Sequence, residues 1–343
     1  MGLFFLMEHT VTKEELRLVY GEIIRGSSYF YSSKYGEVIV KHLTQHDTEL
    51  LDVKKLKYKR KAEERGLPTE DQRVEDLIAE KLWSDKNEKD IKSSQDFISK
   101  MEDTKKKMAL KSERARVQES IDEEIDKLQK ILIEKNELVG LTSESYSNKK
   151  VNDYYVYLSL YKDRDFKEPL FSEEEFDEVS ESDLEDIVTH FNKSTKRFEP
   201  SSIKRIALSS FFLNNFYLCK DNPFIYFGKP VIDLTYHQAD LFSFGRYYKQ
   251  IMQDMKNPIT NEMMDDPDKL TDQYEIEQNK EDVLKENGKS GEASTIVGAT
   301  KEDLDALGVS ATENIGETVD LNDELAKKGG VMSMEDIMKL HGQ

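Results

Sequence analysis

Residues 108–139 read MALKSERARVQESIDEEIDKLQKILIEKNELV. Extended back to Asp85, behind a capping Ser84, the stretch sets Ile91, Ile98, Met101, Met108, Ala115, Ile121, Ile125, Leu128, Leu132 and Val139 mostly three, four or seven residues apart. The positions between them are largely Lys, Glu, Asp, Ser and Gln. That pattern predicts a long helix, or a helical pair folded back near Lys111-Ser112, with one narrow apolar seam of the coiled-coil kind. A seam this narrow needs a partner: the same chain, a second copy associating through 85–139, or another protein.

The segments on either side are also helical in pattern. Leu16, Val19, Tyr20 and Ile23 recur at helical spacing over 12–25, with Thr12 and Glu15 forming a capping box. The period then changes to two: Tyr29-Phe30-Tyr31 and Val38-Ile39-Val40, separated by turn residues that end in Gly36, predict a β-hairpin. Asp52 to Arg65 reads as basic and polar. Thr69 and Gln72 open a helix that buries Val74, Leu77, Ile78 and Leu82, and Trp83 closes it.

Most of the aromatic residues follow Thr142. Gly140 ends the long helix, and Ser147, Val151, Tyr154, Leu158 and Tyr161 share a face of the next. Ser172 with Glu175 caps a short helix that Phe171 and Phe176 staple, and Ser182 with Glu185 caps one carrying Leu184, Ile187, Val188 and Phe191. Ile203 to Cys219 is the most apolar helix and the expected centre of the core. Phe224 to Phe227 reads as a short extended run. Thr235 with Gln238 opens a last long helix through Leu241, Phe242, Tyr248, Ile251, Met252 and Met255.

The resulting expectation is a mainly α protein. A small α+β element spans 1–65, a helical or coiled-coil segment 66–141 and an aromatic-rich helical domain 142–270. An acidic linker without fixed structure spans 271–330, and a terminal short helical motif 331–343. With 35% charged residues, 37% hydrophobic residues and a mean hydropathy of −0.71, the chain has too little apolar material for one large core. Of the net charge of −19, residues 271–343 supply −10, from 17 Asp and Glu against 7 Lys and Arg. No aromatic residue follows Tyr274, yet Val331, Met334, Ile337 and Met338 form a short apolar stripe after Gly329-Gly330, suited to presenting a peptide to a partner.

Composition bears on function class. A surface this acidic repels phosphate backbones, which excludes nucleic acid as the expected partner. The one cysteine, Cys219, leaves no disulfide or cysteine-built zinc site. No apolar run approaches the length of a membrane helix, and a soluble cytoplasmic protein is expected. Catalytic patterns fail one by one. Gly288-Lys289-Ser290 ends like a phosphate-binding loop, but Val283 stands where the first Gly belongs. His42 and His46, four apart, lack the carboxylate pattern of a metal pair, and Asp265-Asp266-Asp268 lacks the oxygen spacing and glycine of a calcium loop. An enzyme would require His237, Asp240 and Arg246 to converge with shifted pKa values. The expectation is a non-enzymatic protein with no cofactor and no metal.

Candidate partner-binding residues are Met101, Met108, Ile121, Leu128 and Leu132 on the seam. Phe224, Tyr226 and Phe227 lie in the aromatic region, and Met334, Ile337 and Met338 at the end. Several blocks carry a resemblance: Gly66-Leu67-Pro68-Thr69-Glu70 with Leu82-Trp83-Ser84, Leu138 to Tyr146, Phe211 to Phe216 continuing to Asp221-Asn222-Pro223-Phe224, and Phe227 to Val231 with Leu234-Thr235. Over about residues 36–270 the chain resembles structural and assembly proteins of tailed bacteriophages. That resemblance implies a plan like that of tail-assembly chaperones, in the host cytoplasm with a viral structural protein as partner, or else a subunit built into the virion at the tail, baseplate or neck.

Overall fold

Leu16, Val19 and Ile23 face inward along the first helix because Thr12 fixes where that helix begins: its hydroxyl accepts from the Glu15 N–H while the Glu15 carboxylate accepts from the Thr12 N–H at 2.7 Å. A computed structural model describes residues 12–288. Its fold is mainly helical, with a small antiparallel sheet near the start of the chain.

The chain forms two compact units. Of the described residues, the first takes 12–83 and 138–270, and the second takes 84–137 and 271–288. The first unit therefore includes the helix opened by Thr69, which the sequence groups with the segment from 66.

In the first unit, α1 (Lys13–Arg25) leads through Gly26 into β1 (Ser27–Ser32) and β2 (Gly36–Lys41). Gly36 takes a φ of 75° to close the hairpin. Short α2 (Gln45–Thr48), then α3 (Leu51–Glu64) and α4 (Glu70–Ala79) follow. After the second unit's hairpin, α7 (Ser143–Ser159) runs directly into β3 (Leu160–Tyr161), which pairs with Ile39 and Val40 of β2. Phe30, Val38 and Val40 pack with Val156, Leu160, Leu170, Phe171, Ile187 and Phe191, so α7 and α9 (Glu181–Thr195) line one face of the sheet. Between them lies short α8 (Glu173–Asp177), capped by Ser172 and Glu175 as expected.

A second part of the core joins α1 to α10 (Pro200–Leu208), α11 (Ser210–Leu218) and α13 (Tyr236–Asp254), through Ile23, Ile206, Phe212, Phe216, Leu241 and Ile251. Gly245 on α13 lets Phe212 approach so closely that an added Cβ would stand 2.8 Å from its ring. Gly245→Ala is expected to cost about 1–3 kcal/mol through overpacking. Chemical denaturation checks this, since a stability equal to wild type would mean that the ring moves freely. Between α11 and α13 lie α12 (Pro223–Phe227) and a 3-10 turn at Val231–Asp233, and α14 (Asn261–Asp265) follows α13.

In the second unit, α5 (Asp85–Lys106) and α6 (Lys111–Val139) form a hairpin. The last helix, α15 (Pro267–Gly288), joins them with its part from Thr271 onward. Ser84 caps α5 as expected. The two-helix alternative is thus the observed one, with the reversal at 107–110, just before Lys111. The seam is also shifted. Ala115 is exposed, while Arg114 and Val117 are buried in its place. The Arg114 guanidinium bonds Asp272 at 2.7 Å, Glu275 at 2.6 Å and the Lys105 carbonyl at 2.8 Å, which ties α15 to the hairpin's closed end.

Other expectations change with the structure. Asp52 to Arg65, read only as polar, is α3, because it packs along α7 with Ala62 as its one fully buried residue. Ile203 to Cys219 is two helices rather than one, broken at an extended Ser209 (ψ 145°). Phe224 to Phe227 is helical, since the Asn222 side chain accepts from the Phe224 N–H at 2.9 Å and Pro223 sits at the first helical position. Tyr161 belongs to β3 and not to the helix before it. The cap of α9 is Ser180 with Asp183, two residues earlier than Ser182 with Glu185. Leu82, expected in the core, is exposed. Residues 271–288, expected to lack structure, continue α15. The linker from 289 to 330 and the stripe with Met334, Ile337 and Met338 lie outside the described residues.

Candidate interaction surface

The first unit places large apolar side chains in water over residues 218–232. Leu218, the last residue of α11, is 80% exposed. Ile225 and Val231 are each 64% exposed, and Phe224 and Ile232 are exposed to a similar degree. Scattered exposed leucines are ordinary, whereas five such side chains in one short stretch are the kind of surface that marks an interaction site.

Rigid local structure holds this stretch in place. Lys220 and Asp221 both take positive φ, 52° and 59°, a costly turn for residues with a Cβ. Asp221 is held there from α13: Lys249 bonds its carboxylate at 2.5 Å and Arg246 bonds its carbonyl at 2.9 Å. On the inner side of α12, Tyr226 bonds the Tyr20 hydroxyl at 2.6 Å and packs against Phe212 and Phe242, and Phe227 also meets Phe242. Burial and that hydrogen bond keep the Tyr226 phenol firmly protonated. Of the three aromatic candidates, then, Phe224 faces solvent, while Tyr226 and Phe227 are half-buried supports. The sequence reading missed Leu218, Ile225, Val231 and Ile232. The signal available was the pair of Pro-punctuated turns around them, which leaves each apolar pair on a segment too short to bury two faces.

The seam of the second unit is only partly closed. Ile121 is buried, but Met101, Met108, Leu128 and Leu132 remain half-buried, and Phe97 and Ile133 are exposed. These side chains keep part of their surface in water.

The titratable groups singled out by the chemical readings lie in separate surroundings. His237 and Arg246 lie nine positions apart on α13, about 13 Å along its axis. Arg246 is turned to Asp221 and the Phe242 ring. Burial lowers the His237 pKa to about 4 and raises that of Asp240. Asp240 stands three positions after His237 on the same helix, and Arg246 is directed elsewhere. His42 packs against Phe198 at 4.5 Å and His237 at 4.9 Å between ring centres, and Phe198 stacks on His237 at 4.9 Å. Burial, then the neighbouring His237, Arg197 and Arg25, lower the His42 pKa to about 3. His46 is largely exposed and pairs with Glu49 at 3.3 Å, so it does not join His42. Among the described residues no three His, Cys, Asp or Glu side chains are grouped to hold a metal ion. Cys219 is buried, with its thiol on the Phe216 carbonyl. No described helix is long and apolar enough to cross a membrane.

No protein-family model, curated protein or solved structure matches this chain.

Proposed function

We propose that this chain is a non-enzymatic assembly factor that binds an apolar helical segment of a structural protein. The exposed apolar surface at 218–232 is the observation that carries this reading. It is pinned by Tyr226, Asn222 and Asp221 into one conformation, so a partner would pay little ordering cost on that side. Burying Phe224 and Ile225 contributes about 1–3 kcal/mol each, enough for two such anchors to dominate a modest interface. The half-open seam of α5 and α6 offers a second contact of the same chemistry, through Met101, Leu128 and Leu132.

Together with the sequence resemblance, this surface supports a role in viral particle assembly, of the tail-assembly-chaperone kind, with a particle protein as partner. An assembly factor leaves its client. Quantitative mass spectrometry of purified particles should therefore find the chain far below stoichiometric level, and fixed stoichiometric copies would instead make it a structural subunit.

Phe224→Asp combined with Ile225→Asp tests the surface itself. Both sites are exposed, so the melting temperature should stay within a few degrees of wild type, while partner recovery falls at least tenfold. Undiminished recovery would remove this surface from the account.

A further inference from the structure

The net charge of the chain is −19, yet residues 50–65 carry seven Lys and Arg against three Asp and Glu, a local balance of 7 − 3 = +4. The rest of the chain is correspondingly at −23. Two of the seven, Lys54 and Lys59, are spent within the fold, on Glu173 at 2.7 Å and Glu144 at 2.8 Å. Lys55, Lys57, Arg60, Lys61 and Arg65 are exposed, with no carboxylate at ion-pair distance among the described residues. The same helix exposes Val53 by 61% and Leu56 by 66%. Its opposite side, with Ala62, packs on α7. Val53, Leu56, Lys57 and Arg60 fall on the outward side by the helical repeat.

A solvated face would carry charge without the two apolar residues, and a core face would carry those without the charge. We propose that the outer face of α3 is a docking site for an acidic amphipathic helix of a partner protein, whose leucines cover Val53 and Leu56 while its carboxylates meet Lys57 and Arg60. Charge complementarity selects this occupant. The basic strip is one helix of 14 residues, about 21 Å long. A short segment fits within it, and at physiological salt, where fields decay over about 8 Å, that segment feels mainly the strip. An anionic membrane or a nucleic acid would extend past the strip onto the rest of the first unit, whose described residues outside 50–65 carry a net negative charge. The proposal is independent of the surface at 218–232 and stands or falls separately.

The test uses the full chain and a fluorescent synthetic helix with leucines at i, i+4 and i+7 set among glutamates, read by anisotropy. Lys57→Glu with Arg60→Glu, and separately Val53→Ser with Leu56→Ser, should each weaken binding at least tenfold. Raising the salt should weaken wild-type binding. Lys92→Glu with Lys100→Glu, an equal charge change on exposed α5 positions, should leave it unchanged. Circular dichroism melts confirm that each variant is folded. The proposal is overturned if the α3 variants bind as wild type does, or if the α5 control loses as much. It is also overturned if vesicles containing phosphatidylserine, and not the helix, are bound in an α3-dependent manner.

Discussion

Lowering the pH from 7 to 5 is expected to destabilise the first unit by on the order of 4 kcal/mol, about half of it from His42 and half from His237. His42, His237 and Phe198 pack ring against ring at 4.5–4.9 Å, which leaves little room to hydrate an imidazolium, and both ring nitrogens of His42 are buried without a hydrogen-bond partner. Their folded pKa values, about 3 and about 4, lie below the ordinary 6.5. The unfolded chain therefore binds more protons as pH falls through 6.5, and stability present above that value is lost progressively toward the folded pKa. Glu22 acts in the opposite sense. Burial raises its pKa despite its 3.1 Å pairing with Arg197, so its protonation in the folded state offsets part of the loss. His42→Phe should remove about half of the pH dependence and cost little at pH 7, because an apolar ring replaces one with unsatisfied nitrogens. Denaturant titrations at pH 7, 6 and 5 check this, and equal slopes with pH for wild type and His42→Phe would refute it.

Arg114→Ala is expected to destabilise the second unit by about 1.5–3 kcal/mol, the scale of lost hydrogen bonds to charged groups, because Asp272 and Glu275 keep contact with water once the guanidinium is gone. Its side chain is 5% exposed, and it is the group that joins Asp272 and Glu275 of α15 to the carbonyl end of α5. Without it two carboxylates face carbonyls and each other. Hydrogen exchange should show protection lost across 271–279 before it is lost in the middle of α6, and uniform exchange through both would contradict this assignment. Asn279, which donates to the Lys106 carbonyl at 2.6 Å, is a second tie and should leave the contact weakened rather than random.

The features that could be read from sequence are those whose physics is local. Thr12 with Glu15, Thr69 with Gln72, Ser172 with Glu175 and Thr235 with Gln238 mark helix starts because the cap and its partner lie three residues apart. The hairpin of β1 and β2 follows from alternation and Gly36. The reversal at 107–110 carries neither Gly nor Pro, and it depends on Arg114 bonding the carbonyls that end α5, a contact with no signature in spacing. For α3 the obstacle is different: Ala62 is its one fully buried residue, with Leu51, Lys54 and Tyr58 half-buried, so no continuous apolar stripe announces it. At the candidate site, Phe224 stood out as aromatic. Composition cannot say whether an apolar residue faces the core, and so Leu218, Ile225, Val231 and Ile232 became visible only once α12 and the turns around it were placed.

The account rests on an apolar surface that the chain leaves uncovered for a helical partner. The most direct measurement places a photo-crosslinking residue at Ile225, and in a separate preparation at buried Phe216, and activates both in cells that make the chain. A single predominant adduct at Ile225, mapped by mass spectrometry to an apolar helical segment of one other protein and absent at Phe216, is the expected result; a viral structural protein there would support the proposed role. Adducts at Ile225 only with water or with this same polypeptide would contradict it.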